Sequence, residues 1–382
     1  MNKILDLTIL LPCLNESETI ESCILKARNF LSTSGLTGEI LVADNGSVDG
    51  SQMIATNLGA RVLDVPTKGY GAVLQSGISS CNSKWVVMGD SDDSYALDKL
   101  DLFIRELELG NDLVVGNRFM GGIYPGAMPW LHRYIGNPVL STLGRLFFKV
   151  PIRDFHCGLR AFKLEPIKQL NLNTKGMEFA SEMIIKAALG NLNISEVPTT
   201  LHPDGRSRKP HLKTWSDGWR HLIFMLLASP KWLFFYPGLS IVAMSTIGFL
   251  GLLGGSRNIF NLEFSLNTYL LLVGGILVGT QTLVFGILAK LFLTKYVALP
   301  RTRLITSFEK YFTFEKGIIC SGILFFLSLA GVLILFNDWT GQRFNTLNVI
   351  TSIKISASII LTMCLSIQFL FTSFFIALFE RN

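Results

Sequence analysis

The chain has 382 residues, 49% of them hydrophobic, with 34 Lys and Arg set against 28 Asp and Glu. That length allows two ordinary domains, and six cysteines (Cys13, Cys23, Cys81, Cys157, Cys320, Cys364) without a C-x-x-C pair exclude a disulfide framework or zinc site and fit a reducing compartment. The net charge of +6 comes without a basic stripe interleaved with aromatics ahead of Lys231, which argues against a nucleic-acid partner.

Met1–Pro12 is apolar, carries Asp6 and lacks a small-residue cleavage site, so a first β-strand is expected there and not a signal peptide. Leu7–Leu11, Glu39–Ala43, Arg61–Val65, Trp85–Met88 and Leu113–Gly116 are strand-like runs. Between them Glu16–Leu31, Gly50–Leu58, Gly69–Cys81 and Asp98–Leu109 have helical character. Alternation at this spacing predicts an α/β fold with a mostly parallel sheet and helices on both faces. In such sheets ligands bind beyond the carboxyl ends of the strands.

Further on, Tyr134–Lys149 places Ile135, Val139, Leu143, Leu146 and Phe147 at near-helical spacing with Arg145 and Lys149 among them. Trp215–Trp232 mixes Trp215, Trp219, Leu222, Ile223, Met225, Leu226 and Trp232 with Arg220 and Lys231. Both fit a helix lying in a membrane interface, and core helices share the pattern. Arg206, Arg208, Lys209, Lys213, Arg220 and Lys231 precede the first long apolar run. Such a collar suits anionic headgroups, at about 1 kcal/mol per cation, and is equally the ordinary flank of a spanning helix.

Four segments, 233–255, 268–293, 317–336 and 355–379, match the roughly 20 apolar residues that a bilayer requires. Lys295, Arg301, Arg303, Lys310 and Lys316 lie between the second and third, whereas the other connections carry only Arg257 and Arg343, with Lys354 at a boundary. That bias predicts a cytosolic second loop, cytosolic termini and a cytosolic first half. The expected organisation is a catalytic domain over 1–212, an amphipathic juxtamembrane segment over 213–232 and an all-α transmembrane domain over 233–382. Gly251/Gly255 and Gly275/Gly279 are small-residue pairs that allow close helix approach or a homo-oligomer. Charged residues inside the spans are few (Lys290 near an end), so the helices are expected to anchor, to dock a lipid or to assemble rather than to form a transport path.

The informative polar residues sit at strand ends. Pro12-Cys13-Leu14-Asn15-Glu16 follows the first strand, Asp44-Asn45-Gly46-Ser47-Val48-Asp49-Gly50 the second, Lys68-Gly69-Tyr70-Gly71 the third and Asp90-Ser91-Asp92-Asp93 the fourth. A nucleotide diphosphate carries at least two negative charges, so its binding site needs a divalent cation and basic groups. Asp90 and Asp92, one residue apart on a strand-end turn, suit a hard cation that keeps other positions for phosphate oxygens and water. Asp44 is placed to meet the base or ribose, and Lys68 the base or a phosphate.

Pro12…Asn15-Glu16, Asp44-Asn45-Gly46-Ser47-x-Asp49-Gly50 and Asp90-x-Asp92 resemble the family-2 glycosyltransferases of GT-A fold. Gly116-Asn117-Arg118-Phe119, Asp154-x-x-x-Gly158-Leu159-Arg160, Glu178-Phe179…Glu182-Met183, Glu196-Val197-Pro198 and Arg206-Ser207 extend the resemblance to dolichyl-phosphate mannose synthases and bacterial polyprenyl-phosphate glycosyltransferases, over roughly residues 5 to 215. It implies Mg or Mn at Asp90 and Asp92 and a nucleotide sugar (UDP-glucose or GDP-mannose) over Pro12, Asn15, Glu16, Asp44, Lys68, Gly69 and Asp90. It also implies arginines on a lipid phosphate. Two positions depart from the pattern. Asn45 stands where the family usually has a second Asp, and Asp93-Ser94-Tyr95 replaces the commoner Leu-Gln, leaving Asp93 as the substitute metal ligand.

The acceptor class decides what catalysis needs. A sugar hydroxyl must lose a proton as it attacks and calls for a general base, whereas a phosphate oxygen is already anionic. Guanidinium forks match phosphate oxygens, so Arg118, Arg160 and Arg206, with Ser207 beside the last, are the candidates to hold a polyprenyl phosphate. Asp92 and the three arginines are the expected catalytic set, and Lys68 and the metal stabilise the leaving diphosphate. Attack opposite the leaving group gives inversion. A processive polysaccharide synthase is the competing reading, but Trp215-Ser216-Asp217-Gly218-Trp219-Arg220 does not match the Q-x-x-R-W expected there. A flippase or scaffold role for the spanning half is the other.

Overall fold

The computed structural model describes residues 4–207, 214–259, 261–296 and 312–381. The chain divides into two compact units, Met1–Ala228 and Ser229–Asn382.

The first unit is built on a seven-stranded sheet of order β3-β2-β1-β4-β6-β5-β7. Its strands are β1 (Leu5–Cys13), β2 (Gly38–Asp44), β3 (Arg61–Asp64), β4 (Ser83–Met88), β5 (Leu113–Asn117), β6 (Arg160–Lys163) and β7 (Ile194–Pro198). Leu7, Ile9, Leu10 and Leu11 of β1 are fully buried. Covering helices on both faces explain that continuous apolar run, because no strand face is left to water. These are α1 (Ile20–Ser34), α2 (Ser51–Asn57), α3 (Tyr70–Ser80) and α4 (Asp101–Glu108), then α7 (Leu164–Gln169) and α8 (Phe179–Leu189). Strand order reverses between β1 and β4: β2 and β3 build outward on one side of β1, and β4 pairs with its other edge. Such a switch point opens a crevice at the carboxyl ends of the strands.

Two strands were not legible in the sequence. β6 is antiparallel to both β4 and β5, and sets Arg160 opposite Met88 at the end of β4. β7 runs parallel to β5. Their sequences, Arg-Ala-Phe-Lys and Ile-Ser-Glu-Val-Pro, are short and partly polar, so strand propensity gives little signal and tertiary pairing decides.

A short α5 (Arg118–Gly121), whose first turn Asn117 caps from its side chain to Met120 N–H, leads to a wide turn at His132–Gly136 and then to α6 (Asn137–Phe148). Along this stretch Tyr134, Ile135, Val139 and Leu146 are exposed, whereas Leu140, Phe147 and Phe148 pack on the core. α9 (Thr214–Ala228) buries His221 and Met225 and leaves Trp215 and Trp219 outward, 81% and 61% exposed. It groups with the first unit, so the compact unit ends at Ala228. Of the basic collar, Arg208, Lys209 and Lys213 lie outside the described residues, as do Arg301, Arg303 and Lys310 of the second loop.

The second unit contains α10 (Tyr236–Leu252), α11 (Leu266–Tyr296), α12 (Phe314–Gly341) and α13 (Val349–Arg381), with a hairpin of β8 (Arg257–Ile259) and β9 (Leu262–Phe264) after α10. Four spans of 22, 30, 28 and 31 residues are long and apolar enough to cross a membrane, and the protein is an integral membrane protein. Exposed Leu, Ile and Phe side chains populate all four helices, as lipid contact requires. One of the two glycine pairs joins helices. A Cβ on Gly279 would fall 2.7 Å from Val242 Cγ2 and 3.0 Å from Gly238 O, and one on Gly275 would strike Ser245, so α11 presses against α10 there. Gly251 and Gly255 face nothing within 4 Å.

Candidate active site

The loops after β1 and β2 are stitched together by short polar side chains. Asn15, in the left-handed region at φ 57°, donates its N–H to Ser47 Oγ (2.8 Å) and accepts at Oδ1 from Val48 N–H (2.9 Å). Glu16 N–H donates to Ser51 Oγ (2.9 Å) and Ser17 N–H to Asp49 Oδ2 (2.9 Å). Pro12 contributes its carbonyl, which accepts from Ser91 Oγ (2.8 Å) and so ties β1 to the acidic loop.

Asp44 is fully buried, and both its oxygens turn into its own loop. Oδ2 accepts from the N–H groups of Gly46 (2.9 Å) and Ser47 (2.8 Å) and from the Gln52 amide, and Oδ1 accepts from Ser47 Oγ. Burial raises its pKa, but the Ser47 and Gln52 hydrogen bonds outweigh it and hold the carboxyl below its ordinary value. These bonds give Asp44 a turn-shaping role in its own loop. Asn45 has a physical reason to depart from the family's Asp. Its Nδ2 donates to Val65 O (2.9 Å) and Thr67 O (2.8 Å) while Oδ1 accepts from Gly69 N–H (3.0 Å), and a carboxylate has no proton to give those carbonyls.

Lys68 Nζ donates to the Asn45 carbonyl. Gly69, at φ 128°, and Gly71 are glycines because another loop occupies the space a side chain would need: a Cβ would strike the carbonyls of Lys175 and Thr174 respectively. Gly71 N–H donates to Lys175 O (3.0 Å). Glu182 fastens that loop, accepting from Asn173 N–H (2.9 Å), Thr174 N–H (2.9 Å) and Thr174 Oγ1 (2.6 Å) while paired with Lys186 (2.9 Å). The Gly-Tyr-Gly step is shaped by a protein loop.

The acid pair lies at the switch point after β4. Asp90 Oδ1 accepts from Tyr70 O–H (2.9 Å), and a Cβ on Gly158 would collide with its carboxyl group. Burial and the neighbouring Asp92 push Asp90 up to about 6, against the pull of Tyr70, Arg206 and Arg118. Asp92 Oδ1 accepts from Ser94 N–H (3.1 Å) and Ser94 Oγ (2.6 Å), and its Oδ2 from Arg206 Nη2. Two carboxylates crowded enough to raise a pKa fit a divalent cation. Among the described residues no third His, Cys, Asp or Glu joins them. Asp93 is a correction: at φ 63° it turns away to α1, where it accepts from Lys26 Nζ (2.6 Å) and Ser22 Oγ (3.0 Å).

The three arginines have different partners. Arg206 bridges the first and fourth strand ends, donating to Glu16 Oε1 (3.1 Å) and to Asp92, and its own segment is held by Gly205 N–H to Asp92 O (3.0 Å). Ser207 donates to Glu18 through N–H (2.7 Å) and Oγ (2.5 Å). Arg118 forms a two-pronged pair with buried Asp154, Nε to Oδ2 (2.7 Å) and Nη2 to Oδ1 (2.8 Å), leaving Nη1 outside the pair. Arg160 is the second correction. It is fully buried, and its guanidinium donates to the carbonyls of Cys157 (2.9 Å), Ala180 (2.6 Å) and Phe155 (2.8 Å), so it holds the 155–158 loop and is closed to a phosphate. Tyr70, Asp154 and Tyr95, which accepts from Gly158 N–H (3.0 Å), complete the site. Sequence reading gave none of the three a role; the position of Tyr70 between two glycines at a helix start was the available signal.

Beside this centre lies an apolar cavity of about 320 Å³, walled by Leu131, Ile135, Trp215 and Trp219 with His156 and His221 in its lining. Both ring nitrogens of His156 are buried and lack a hydrogen-bond partner among the described residues.

A model of glycosyl transferase family 2 matches residues 8–170, and one of the glycosyltransferase family 2 C-terminal transmembrane region matches 287–380. The chain is 31% identical over 373 residues to the low-salt glycan biosynthesis hexosyltransferase Agl6 of Haloferax volcanii, covering 96% of this chain and 87% of that protein. The chain belongs to glycosyl transferase family 2. A second Haloferax volcanii family relative, a dolichyl-phosphate hexose transferase, is 30% identical over 193 residues, half of this chain and 81% of that one. Among solved structures, the glucosyl-3-phosphoglycerate synthase of Mycobacterium tuberculosis in complex with Mn2+, uridine diphosphate and glucosyl-3-phosphoglycerate is 23% identical, covers 59% of this chain and 80% of that one, and superposes with a TM-score of 0.47. Membership makes this chain a glycosyltransferase with a GT-A-type α/β unit and a membrane-spanning region.

Proposed function

We propose that the protein transfers a hexose from a nucleotide-diphosphate sugar to a polyprenyl phosphate, with inversion at the anomeric carbon. The observation that carries this reading is the Arg206 guanidinium seated on Asp92, next to Asp90 at the switch point, with Glu16 as its other carboxylate partner. It is supported by the apolar cavity alongside, which has the character needed for an isoprenoid chain, and by relatives named as hexosyl and dolichyl-phosphate hexose transferases.

A lipid phosphate oxygen forms the bond to the anomeric carbon as the bond to the diphosphate breaks and its electron pair leaves with the nucleoside diphosphate. No proton has to move. Asp90 and Asp92 would hold a divalent cation, Mg or Mn, which would supply positive charge to the diphosphate. Arg206 exchanges its carboxylate partners for phosphate oxygens, Arg118 presents Nη1, and Lys68 steadies the donor. Asp154 keeps Arg118 in place and Arg160 shapes the loop beneath. The donor, UDP-glucose or GDP-mannose, is a cytosolic metabolite, which agrees with a cytosolic catalytic unit.

The test uses the purified full-length chain with a polyprenyl phosphate and a panel of labelled nucleotide sugars. Labelled lipid should form with at least one donor, stop with chelator and return with Mg or Mn. Asp90→Asn and Asp92→Asn should lose it. Arg206→Lys should weaken apparent lipid affinity about ten- to a hundredfold, the value of one charge-assisted contact, with donor binding near wild type. Full activity in chelator sinks the metal assignment; unchanged lipid dependence in Arg206→Lys sinks the phosphate site, and transfer to a neutral sugar favours a polysaccharide synthase.

A further inference from the structure

The membrane unit holds a cation that the transfer reaction leaves unused. Lys354 lies in the second turn of α13, at the end of the bundle where α10 stops and α11 begins. Its Nζ donates to the carbonyl of Leu252 (2.9 Å), at the last residue of α10, and stands 5.4 Å from the ring centroid of Tyr269. Tyr269 is almost fully buried and its hydroxyl meets Ser358 Oγ at 2.8 Å. Lys354, Tyr269 and Ser358 line a cavity of about 520 Å³ that Thr351 and Thr362 also border, and among the described residues no acidic side chain lines it. The cavity is bordered by Leu253, Leu327 and Ile350, each more than half exposed on the bundle surface.

A positive charge among spanning helices is costly unless an anion or strong dipoles compensate it. The Leu252 carbonyl and the Tyr269 face supply dipoles, but among the described residues no carboxylate pairs with Lys354. An ammonium group has three donors, and one is used. At about 520 Å³ the cavity is far larger than a lone ion needs and suits a headgroup better. We propose that this cavity binds the phosphate headgroup of a membrane lipid, with Lys354 on the phosphate, Thr351, Ser358 and Thr362 beside it, and the acyl chains along the apolar rim. This site depends only on the helices spanning a membrane and is independent of the donor and acceptor of catalysis.

The experiment takes the full chain, delipidated in detergent, and measures its apparent Tm and its bound lipid by native mass spectrometry. The probes are phosphatidylglycerol, diacylglycerol and inorganic phosphate. Phosphatidylglycerol at a hundredfold excess over its Kd should raise Tm by about 5 °C and appear bound, while diacylglycerol and inorganic phosphate do neither. Lys354→Arg should retain the effect and Lys354→Gln should lose it. Should Lys354→Gln fail to fold, Thr362→Leu carries the same test, because it fills the cavity and leaves Lys354 on Leu252. An equal rise with diacylglycerol, an equal rise with inorganic phosphate alone, or a rise undiminished in both Lys354→Gln and Thr362→Leu overturns the proposal.

Discussion

His156 and His221 meet edge to face, ring centroids 4.5 Å apart, and Ser181 Oγ lies 2.8 Å from His221 Nδ1. Burial lowers the pKa of His221 to about 4, with Asp217 opposing and Arg160 adding to it, and burial with His221 beside it lowers His156 further below its usual range. The sign follows. A histidine whose folded pKa is depressed is neutral in the fold and takes up its proton more readily when unfolded, so the stability it contributes is present above about 6.5 and is lost as the pH falls toward 4. His221 alone should cost the first unit about 3 kcal/mol between pH 7 and pH 4. Thermal melts of wild type and His221→Asn across that range check it: the variant should show a shallower decline, and an identical slope would exclude His221 as the source. At this scale the sequence marked Asp90 and Asp92 by their place at a strand end, and Arg206 by its likeness to a family motif. It hid residues whose meaning comes from a distant partner. Asp154 is 36 residues from Arg118, and the three carbonyls that claim Arg160 have no side-chain signature at all.

Packing between α10 and α11 depends on absent side chains. Gly279 sits against Val242 and the Gly238 carbonyl, so Gly279→Leu must part the helices; overpacking of this kind costs about 1–3 kcal/mol. Gly251→Leu meets nothing within 4 Å and should be close to neutral. Apparent Tm values of the two variants in detergent should therefore separate, and equal values would mean that the α10–α11 contact is not close. Spacing alone could not choose between the two glycine pairs, because a small residue four positions from another defines a stripe, and the stripe must still face a neighbour. The parallel strands β1, β2, β4 and β5 were legible for the opposite reason, since apolar runs buried on both faces announce themselves. β6 was not, because a four-residue strand inserted antiparallel between β4 and β5 is specified by its partners.

For the molecule as a whole, an uneven composition foretold two units in two solvents, and the division falls between Ala228 and Ser229. The basic loop between α11 and α12 predicts the orientation. A reporter fused after Asn382 should lie in the cytosol and one inserted within Asn337–Ser352 outside it; the reverse labelling would place the catalytic unit away from nucleotide sugars. Within the first unit, the loop that Glu182 holds presses carbonyls into the spaces left by Gly69 and Gly71, so segments about a hundred residues apart behave as one mechanical part. Anyone grafting the corresponding turn of a relative onto this scaffold would find that residues 67–71 do not transplant alone. The smallest exchangeable piece is discontinuous: it must bring the 173–176 loop and the carboxylate on α8 that fastens it, or the transplanted turn arrives with no wall to lean on.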